Sequence, residues 1–229
     1  MLRDANILGW DVVNWSNALR FWTHTSAITV ANANALEVGA GNYGGLSLWL
    51  AEQGARVVCS DRSHSKIVRA RIHHGSLPVT SSIQYQALDV TALPYRDVFD
   101  VVVLRSVLGG IGRPDDLTQK ARALREIHAA LKPGGECWFA ENLRASTLHG
   151  MARRVCQPSR RWRYFTVSEL VSLFHPFASC QYEIVGWLGA FGRTEGQRRA
   201  LGYLDGLLCQ RLRLIPAAWR YIVMGIARK

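Results

Sequence analysis

The sequence predicts a doubly wound α/β fold: a mostly parallel sheet closed at one end by an antiparallel edge strand, with a helix ahead of the first strand. Three observations lead there. Apolar runs of strand length alternate with amphipathic segments in the order βαβαβαβ across residues 35–140. Phe99–Leu104 is a β-branched run of the kind that suits a parallel strand covered on both faces. The first run ends in glycines and the second in an acid, as in βαβ units that bind a ligand at their strand ends.

Taken in order, Trp10–Trp22 places its aromatic and apolar residues at helical spacing, as a cap over a ligand or as plain core packing. Ala35–Val38 is a short buried strand, Leu46–Gln53 an apolar helix, and Arg56–Cys59 the second strand, ending at Ser60-Asp61. A polar helix at Ser65–His74 precedes an alternating strand at Ser82–Leu88. After Phe99–Leu104, Leu117–Leu131 has helical periodicity and is stopped by Lys132-Pro133-Gly134-Gly135 before a strand at Glu136–Ala140. Beyond residue 143 a helix at Ser168–Phe174 and strands near Cys180–Leu188 and Tyr221–Ala227 complete the sheet. One domain is expected, with a cap (1–30), a core (35–142) and a C-terminal region (143–229).

Composition narrows the class of function. At 48% hydrophobic and 20% charged residues, the chain is neither disordered nor membrane-spanning. No apolar run reaches the roughly 18 residues of a transmembrane helix, and Met1-Leu2-Arg3-Asp4 opens no signal peptide, so the expected location is the cytoplasm. The five cysteines are scattered without a C-x-x-C pair, which indicates neither a disulfide framework nor a thiolate metal site, and no metal is expected. The net charge of +11 is uneven: residues 144–229 hold 14 basic and only 4 acidic groups. The basic surface therefore belongs to the C-terminal third.

The most informative constellation is Leu36-Glu37-Val38-Gly39-Ala40-Gly41-Asn42-Tyr43-Gly44, with Asp61 at the end of the next strand. Glycines let the backbone approach a ligand, and the later carboxylate suits ribose hydroxyls. Read as Gly39-x-Gly41-x-x-Gly44, the loop also fits a dinucleotide fingerprint. Glu37 argues otherwise, because a carboxylate there repels a pyrophosphate and attracts a cationic ligand. Together with Leu88-Asp89-Val90, Phe99-Asp100-Val101-Val102-Val103 and Leu131-Lys132-Pro133-Gly134-Gly135, this order resembles the class I methyltransferase family, a Rossmann-like fold that uses S-adenosylmethionine. The resemblance covers about residues 35–142. It implies that Gly39 and Gly41, with Ala40, Asn42 and Glu37, meet the methionyl part. By the same resemblance Asp61, with Arg62, meets the ribose, Asp89 and Val90 the adenine, and Arg105 and Ser106 flank the donor. Two departures stand out: Tyr43 where relatives often carry glycine, and Leu108-Gly109-Gly110-Ile111 where they often carry a histidine.

Methyl transfer is an in-line displacement at a sulfonium, governed mainly by alignment, so it needs no dedicated catalytic motif. Glu141, after the fifth strand, is the candidate acceptor-orienting or basic group, with capping, or pairing with Arg144, as the alternative. Trp15, His149, Arg160, Arg161 and Arg163 are candidates on the acceptor side. Arginines interleaved with aromatic rings suit phosphate or carboxylate joined to a sugar or lipid, which points to an anionic acceptor such as a lipid- or nucleotide-linked glycan or an anionic lipid, met at the inner membrane by electrostatic contact. Nucleic acid ranks last, for want of a binding module. Arg160–Phe165 with Trp187–Gly192 looks similar to a subgroup of small methyltransferases associated with bacterial cell-surface glycan gene clusters. The alternatives are a nicotinamide-dependent oxidoreductase, which predicts NADH binding, and a non-catalytic arginine-rich binding protein on a decayed scaffold.

Overall fold

The protein is described by a computed structural model that covers residues 4–75, 77–156 and 162–229. Seven strands form one sheet: β1 (Asn34–Val38), β2 (Arg56–Asp61), β3 (Ile83–Ala87), β4 (Phe99–Arg105), β5 (Leu131–Asn142), β6 (Ser179–Val185) and β7 (Ile222–Arg228). Their spatial order is β3-β2-β1-β4-β5-β7-β6. Strands β1 to β5 pair in parallel, and β7 runs antiparallel to both β5 and β6. The antiparallel completion expected from the sequence therefore lies at this end, with β7 inserted ahead of the outermost strand β6. The chain's direction of travel reverses between β1 and β4, which opens a crevice at their carboxyl ends.

Eight helices flank the sheet among the described residues: α1 (Asp4–Leu8), α2 (Val12–Thr25), α3 (Gly45–Glu52), α4 (His64–His74), α5 (Leu117–Ala130), α6 (Thr147–Cys156), α7 (Val167–Leu173) and α8 (Glu195–Asp205). Their ends carry legible signals. The Asp116 side chain accepts from Thr118 and Gln119 amides at the start of α5, and Thr166 with Glu169 and Thr194 with Gln197 form reciprocal capping boxes for α7 and α8. No helix of the described residues is long and apolar enough to cross a membrane. Strand β5 begins earlier than expected because Leu131 already pairs with Phe99, and the glycine turn becomes an irregularity in the ladder.

The central strands are buried on both faces, which explains their continuous apolar sequence. In β4, Val101 and Val103 face a core built with α2 and α3, whereas Val102 and Leu104 face one built with α5 and α7. The segment read as cap or core is core. Trp15 and Trp22 of α2 are wholly buried, and the Trp22 indole donates to the Gly225 carbonyl of β7 at 3.1 Å. Trp22 also stacks on Trp138, with Trp49 closing the cluster at 6.0–6.1 Å from both rings.

The start of α2 is fastened to the far end of the chain. Glu195 accepts hydrogen bonds from the amides of Asp11 and Val12 at 2.7 and 3.0 Å. Asp11 is buried at φ 48°, accepting from the Tyr221 hydroxyl and from Asn14. Asn14 also donates to Asp205, whose carboxylate in turn accepts from the Leu188 and Gly189 amides. The bonds that Glu195, Asp205 and Tyr221 make to residues 11–14 join segments 183 to 210 residues apart, and no local pattern announces them.

Candidate functional site

Every element at the crevice exposes its carboxyl end there, so the residues after β1, β2, β3, β4 and β5 converge whatever their separation in sequence. The loop after β1 is shaped by close contacts. Gly39 has φ 71°, and a side chain there would come within 2.5 Å of Val107, in the loop after β4. Gly44, at φ 54°, opens α3 with the His74 ring and the Cys59 sulfur packed against it. His74 latches the loop from behind. Its Nε2 donates to the Tyr43 carbonyl at 2.8 Å, and its Nδ1 accepts from the Tyr85 hydroxyl at 2.6 Å. Burial holds the His74 pKa down, consistent with a neutral ring in that role. Tyr43 itself turns outward onto the edge of His73, so the loop accommodates its bulk. Ala40 donates its amide to the Ser60 carbonyl, and Gly41 and Asn42 remain partly exposed in the turn.

Of the acids, Asp61 is buried at the end of β2. It accepts from the Gly41 amide at 3.1 Å and the Ser63 amide at 2.9 Å, so it ties the loop to the strand that follows; its neighbour Arg62 is exposed. Asp89 is exposed and accepts from the amide and hydroxyl of Thr91, bonds that hold its pKa down, and Val90 beside it is half-buried. Glu37 is placed differently from the expectation of a carboxylate facing the ligand. It is buried against the first turn of α3, accepting from the amide and hydroxyl of Ser47. Burial raises its pKa, opposed by those bonds and by the positive charge of Arg105.

Arg105 ends β4 one residue past the Val38–Leu104 pair, which puts it beside Gly39. Its guanidinium lies over the Trp15 ring at 5.4 Å. Burial lowers its pKa to about 10, against the pull of Glu37 and Asp11. Two buried donors, Arg105 Nη1 and Trp15 Nε1, have no partner. Buried orphan donors are costly, and both are of the kind that an anionic ligand group satisfies. Ser106 follows at φ 54°, held by its amide to Ala140 and by Asn142 donating to its hydroxyl at 2.9 Å. A donor with a methionyl carboxylate, as the sequence implies, fits this pair.

Glu141 takes the capping alternative: it is fully buried, its Oε1 accepting from the Val107 and Leu108 amides at 2.6 and 2.7 Å, while its Oε2 has no partner. It therefore fixes the loop that packs on Gly39. Arg144 pairs instead with Glu169 at 3.6 Å. Burial raises the Glu141 pKa to about 7. The folded state thus holds this proton more tightly than the unfolded chain, and stability present at low pH is lost as pH rises from about 4.5 through 7. Glu141→Gln is expected to match the wild type near pH 5 and to be more stable by about 2–3 kcal/mol near pH 8.5. Urea unfolding at both pH values measures this, and an unchanged difference between the two rejects it.

The acceptor-side candidates divide. Trp15, expected there, is a core residue whose contribution is its orphan indole N–H. Arg163, expected to hold an anion, gives Nη2 to Glu169 at 2.8 Å and Nη1 to the Pro114 carbonyl and Asp115 at 3.3 Å, while its buried Nε has no partner. Arg160 and Arg161 lie outside the described residues. His149 is buried with both ring nitrogens engaged, Nδ1 with the Ser146 hydroxyl and Nε2 with the Trp187 carbonyl, and burial lowers its pKa. Its ring, packed on Phe191 at 4.6 Å, walls a cavity of about 570 Å³ also lined by Arg153, Gly192, Arg193 and Arg198. Arg153, Arg193 and Arg198 were legible only as part of a basic region. The glycines after β4 also find a reason, since a side chain at Gly109 would come within 2.3 Å of the Trp162 indole. Among the described residues no group of three or more His, Cys, Asp or Glu is placed to hold a metal ion.

Compared with known proteins, residues 36–139 match a family model described as a methyltransferase domain. No curated protein matches the sequence. Among solved structures, the chain is similar to an S-adenosylmethionine dependent methyltransferase from Mesorhizobium loti, at 19% identity over 95% of this chain and 98% of that one, with a TM-score of 0.62. It is similar to the N-methyltransferase NodS from Bradyrhizobium japonicum in complex with S-adenosyl-L-homocysteine, at 17% identity over 93% and 84% of the two chains and a TM-score of 0.60. Phosphoethanolamine N-methyltransferase 2 from Haemonchus contortus, in complex with S-adenosyl-L-methionine, shares 18% identity over 99% of this chain and 57% of its own, with a TM-score of 0.66. At these identities the likeness to the solved structures is one of fold.

Proposed function

We propose that the chain is a class I S-adenosylmethionine-dependent methyltransferase, a reading supported by the methyltransferase-domain match over residues 36–139 and by the shared fold, and that it methylates an anionic acceptor, a phosphate-linked glycan or lipid-linked precursor, entering beside the arginines of the C-terminal third. The observation that carries the reading is the pair of orphan buried donors, Arg105 Nη1 and Trp15 Nε1, next to the glycine loop. Bound S-adenosylmethionine supplies an electrophilic methyl group on a sulfonium. Arg105 and the Trp15 indole would hold the methionyl carboxylate, with the backbone of Gly39 to Gly41 near the same end. Asp61 would offer its remaining lone pairs to ribose hydroxyls, and Asp89 and Val90 would meet the adenine. Glu141 acts as a positioning residue, through the Val107–Leu108 loop.

For the acceptor, the cavity with Arg153, Arg193 and Arg198 supports a negatively charged group. Arg153 uses two of its donors on the carbonyls of Leu143 and Arg144, and Arg198 donates Nε to the Gly192 carbonyl, which fixes both guanidiniums at the wall. A membrane-bound acceptor places the enzyme at the inner membrane, held there peripherally.

Calorimetric titration tests the cofactor. S-adenosylmethionine and S-adenosylhomocysteine are expected to bind saturably and NADH not at all; binding of NADH alone rejects the reading in favour of an oxidoreductase. For the acceptor, Arg193→Ala with Arg198→Ala is expected to raise its KM by about tenfold or more while leaving S-adenosylmethionine affinity unchanged. An acceptor KM indifferent to both substitutions and to salt removes the anionic assignment.

A further inference from the structure

The segment from α8 to the start of β7 has two faces of opposite character. Inward, Asp205, Cys209 and Ile215 are buried, and Asp205 is tied to Leu188, Gly189 and Asn14. Outward, Tyr203, Leu204, Leu207, Leu212, Leu214 and Trp219 are between 42 and 66% exposed. One turn draws Leu207, Leu212 and Leu214 into the same stretch of surface, and Trp219 lies beside Trp187 with ring centroids 6.4 Å apart. The π-helical turn Gly206–Arg211 is closed by the Leu212 amide donating to the Leu207 carbonyl and the Leu214 amide to the Leu208 carbonyl, both at 2.9 Å. Arg220 then pins the returning chain through the Ile215 carbonyl at 2.8 Å. An apolar ridge of this size on one short segment is more than scattered surface hydrophobes account for.

Charge says what it meets. Arg199, Arg211 and Arg213 stand exposed among these residues. Asp205 is the only acidic residue after Glu195 in the chain, and it is buried. Leucines and tryptophan flanked by exposed arginines, which outnumber Glu183, the one exposed acid sharing a cavity with Arg213, match the chemistry of an anionic lipid surface, in which apolar side chains enter the interface and guanidiniums meet headgroup phosphates. A second copy of the chain is disfavoured as the occupant, because two ridges of a protein with net charge +11 repel.

We propose that the 203–219 ridge is a docking surface for an anionic bilayer. The contact stands on these residues alone. Its use, delivering a membrane-held acceptor to the arginine-lined cavity, rests on the function proposed above: Asp205 anchors the ridge to Leu188 and Gly189, and the next residues, Ala190 to Gly192, line that cavity.

The test is cosedimentation of the whole chain with vesicles of phosphatidylcholine alone and of phosphatidylcholine with about one-third phosphatidylglycerol. The wild type is expected to pellet with the second and not the first, and less so in high salt. Leu207→Ser with Leu214→Ser is expected to weaken binding by about tenfold or more. Arg211→Gln with Arg213→Gln is expected to weaken it and flatten the salt dependence. A wild type that stays in the supernatant with anionic vesicles, or two double variants that bind as it does, overturns the proposal. So does ultracentrifugation showing a dimer that the leucine variant dissolves, which makes the ridge an interface between copies. S-adenosylmethionine titration of the same samples separates the two ideas: its loss in the wild type counts against the methyltransferase reading, and the vesicle result still decides the ridge.

Discussion

Replacing Arg105 with methionine is expected to weaken S-adenosylmethionine binding by about a hundredfold to a thousandfold, or about 3–4 kcal/mol. The guanidinium is buried over Trp15 with Nη1 unpartnered, so it adds little to the free protein and gains its partner when a carboxylate arrives. The apo protein should therefore unfold at the same temperature or slightly higher, since a buried cation with an unmet donor is itself costly. What disappears is the rise in melting temperature that the donor produces. Arg105→Lys keeps the charge without the fork and should fall between the two. Calorimetry and thermal unfolding with and without S-adenosylmethionine measure all of this. If affinity stays within about threefold while the apo protein loses several kcal/mol, Arg105 is instead a structural counter-ion for Glu37 and Asp11.

Glu136→Ala is the second large effect, a loss of about 3–5 kcal/mol of stability. Glu136 is fully buried, and all four of its hydrogen bonds come from distant parts of the chain or from its own strand. Oε1 accepts from the Ala27 amide at 3.0 Å and Arg228 Nε at 2.9 Å, and Oε2 from the Ser26 hydroxyl at 2.6 Å and the Trp138 indole at 2.8 Å. Removing the carboxylate strands these donors together and frees the C-terminal end of α2 from β5 and β7. For a chain of this length the melting temperature should fall by about 6–20 °C. Burial alone would raise the Glu136 pKa, but the hydrogen bonds outweigh it and hold the pKa below its usual value. Its stabilisation is thus complete above the ordinary glutamate range and lost as pH falls through the depressed value. The wild type should weaken on acidification more than the variant does. A loss under about 1 kcal/mol at neutral pH would mean that the ends of α2, β5 and β7 are held together by the tryptophan cluster instead.

The parts of the site that were legible share one property: each follows a strand in a fixed sequential pattern. Gly39, Gly41 and Asp61 sit where the reading put them because a strand, a tight turn and a helix can be ordered only one way over so short a span. Glu37 and Glu141 were legible as residues, whereas the choice for each between facing a ligand and capping a turn was not. A strand's period says which face a side chain takes, yet not whether a helix turn or a loop amide waits there, and for both carboxylates one did. Arg163 shows the same limit on the basic region. Its charge was legible, whereas Glu169 and the Pro114 carbonyl, which engage its two Nη atoms, arrive from other elements.

The sequence by itself determined the order of strands and helices, the glycine loop with its acids, and the placement of positive charge in the last third, because periodicity, turn chemistry and composition are local properties. Only the tertiary structure decided that α2 is core, that Asp11, Asn14, Asp205 and Tyr221 form one buried network, that Arg105 and Trp15 share unmet donors, and that leucines and arginines near the end of the chain make a single ridge. Such features depend on which surfaces pack together, and burial and partnership are properties of pairs of segments that no single segment encodes.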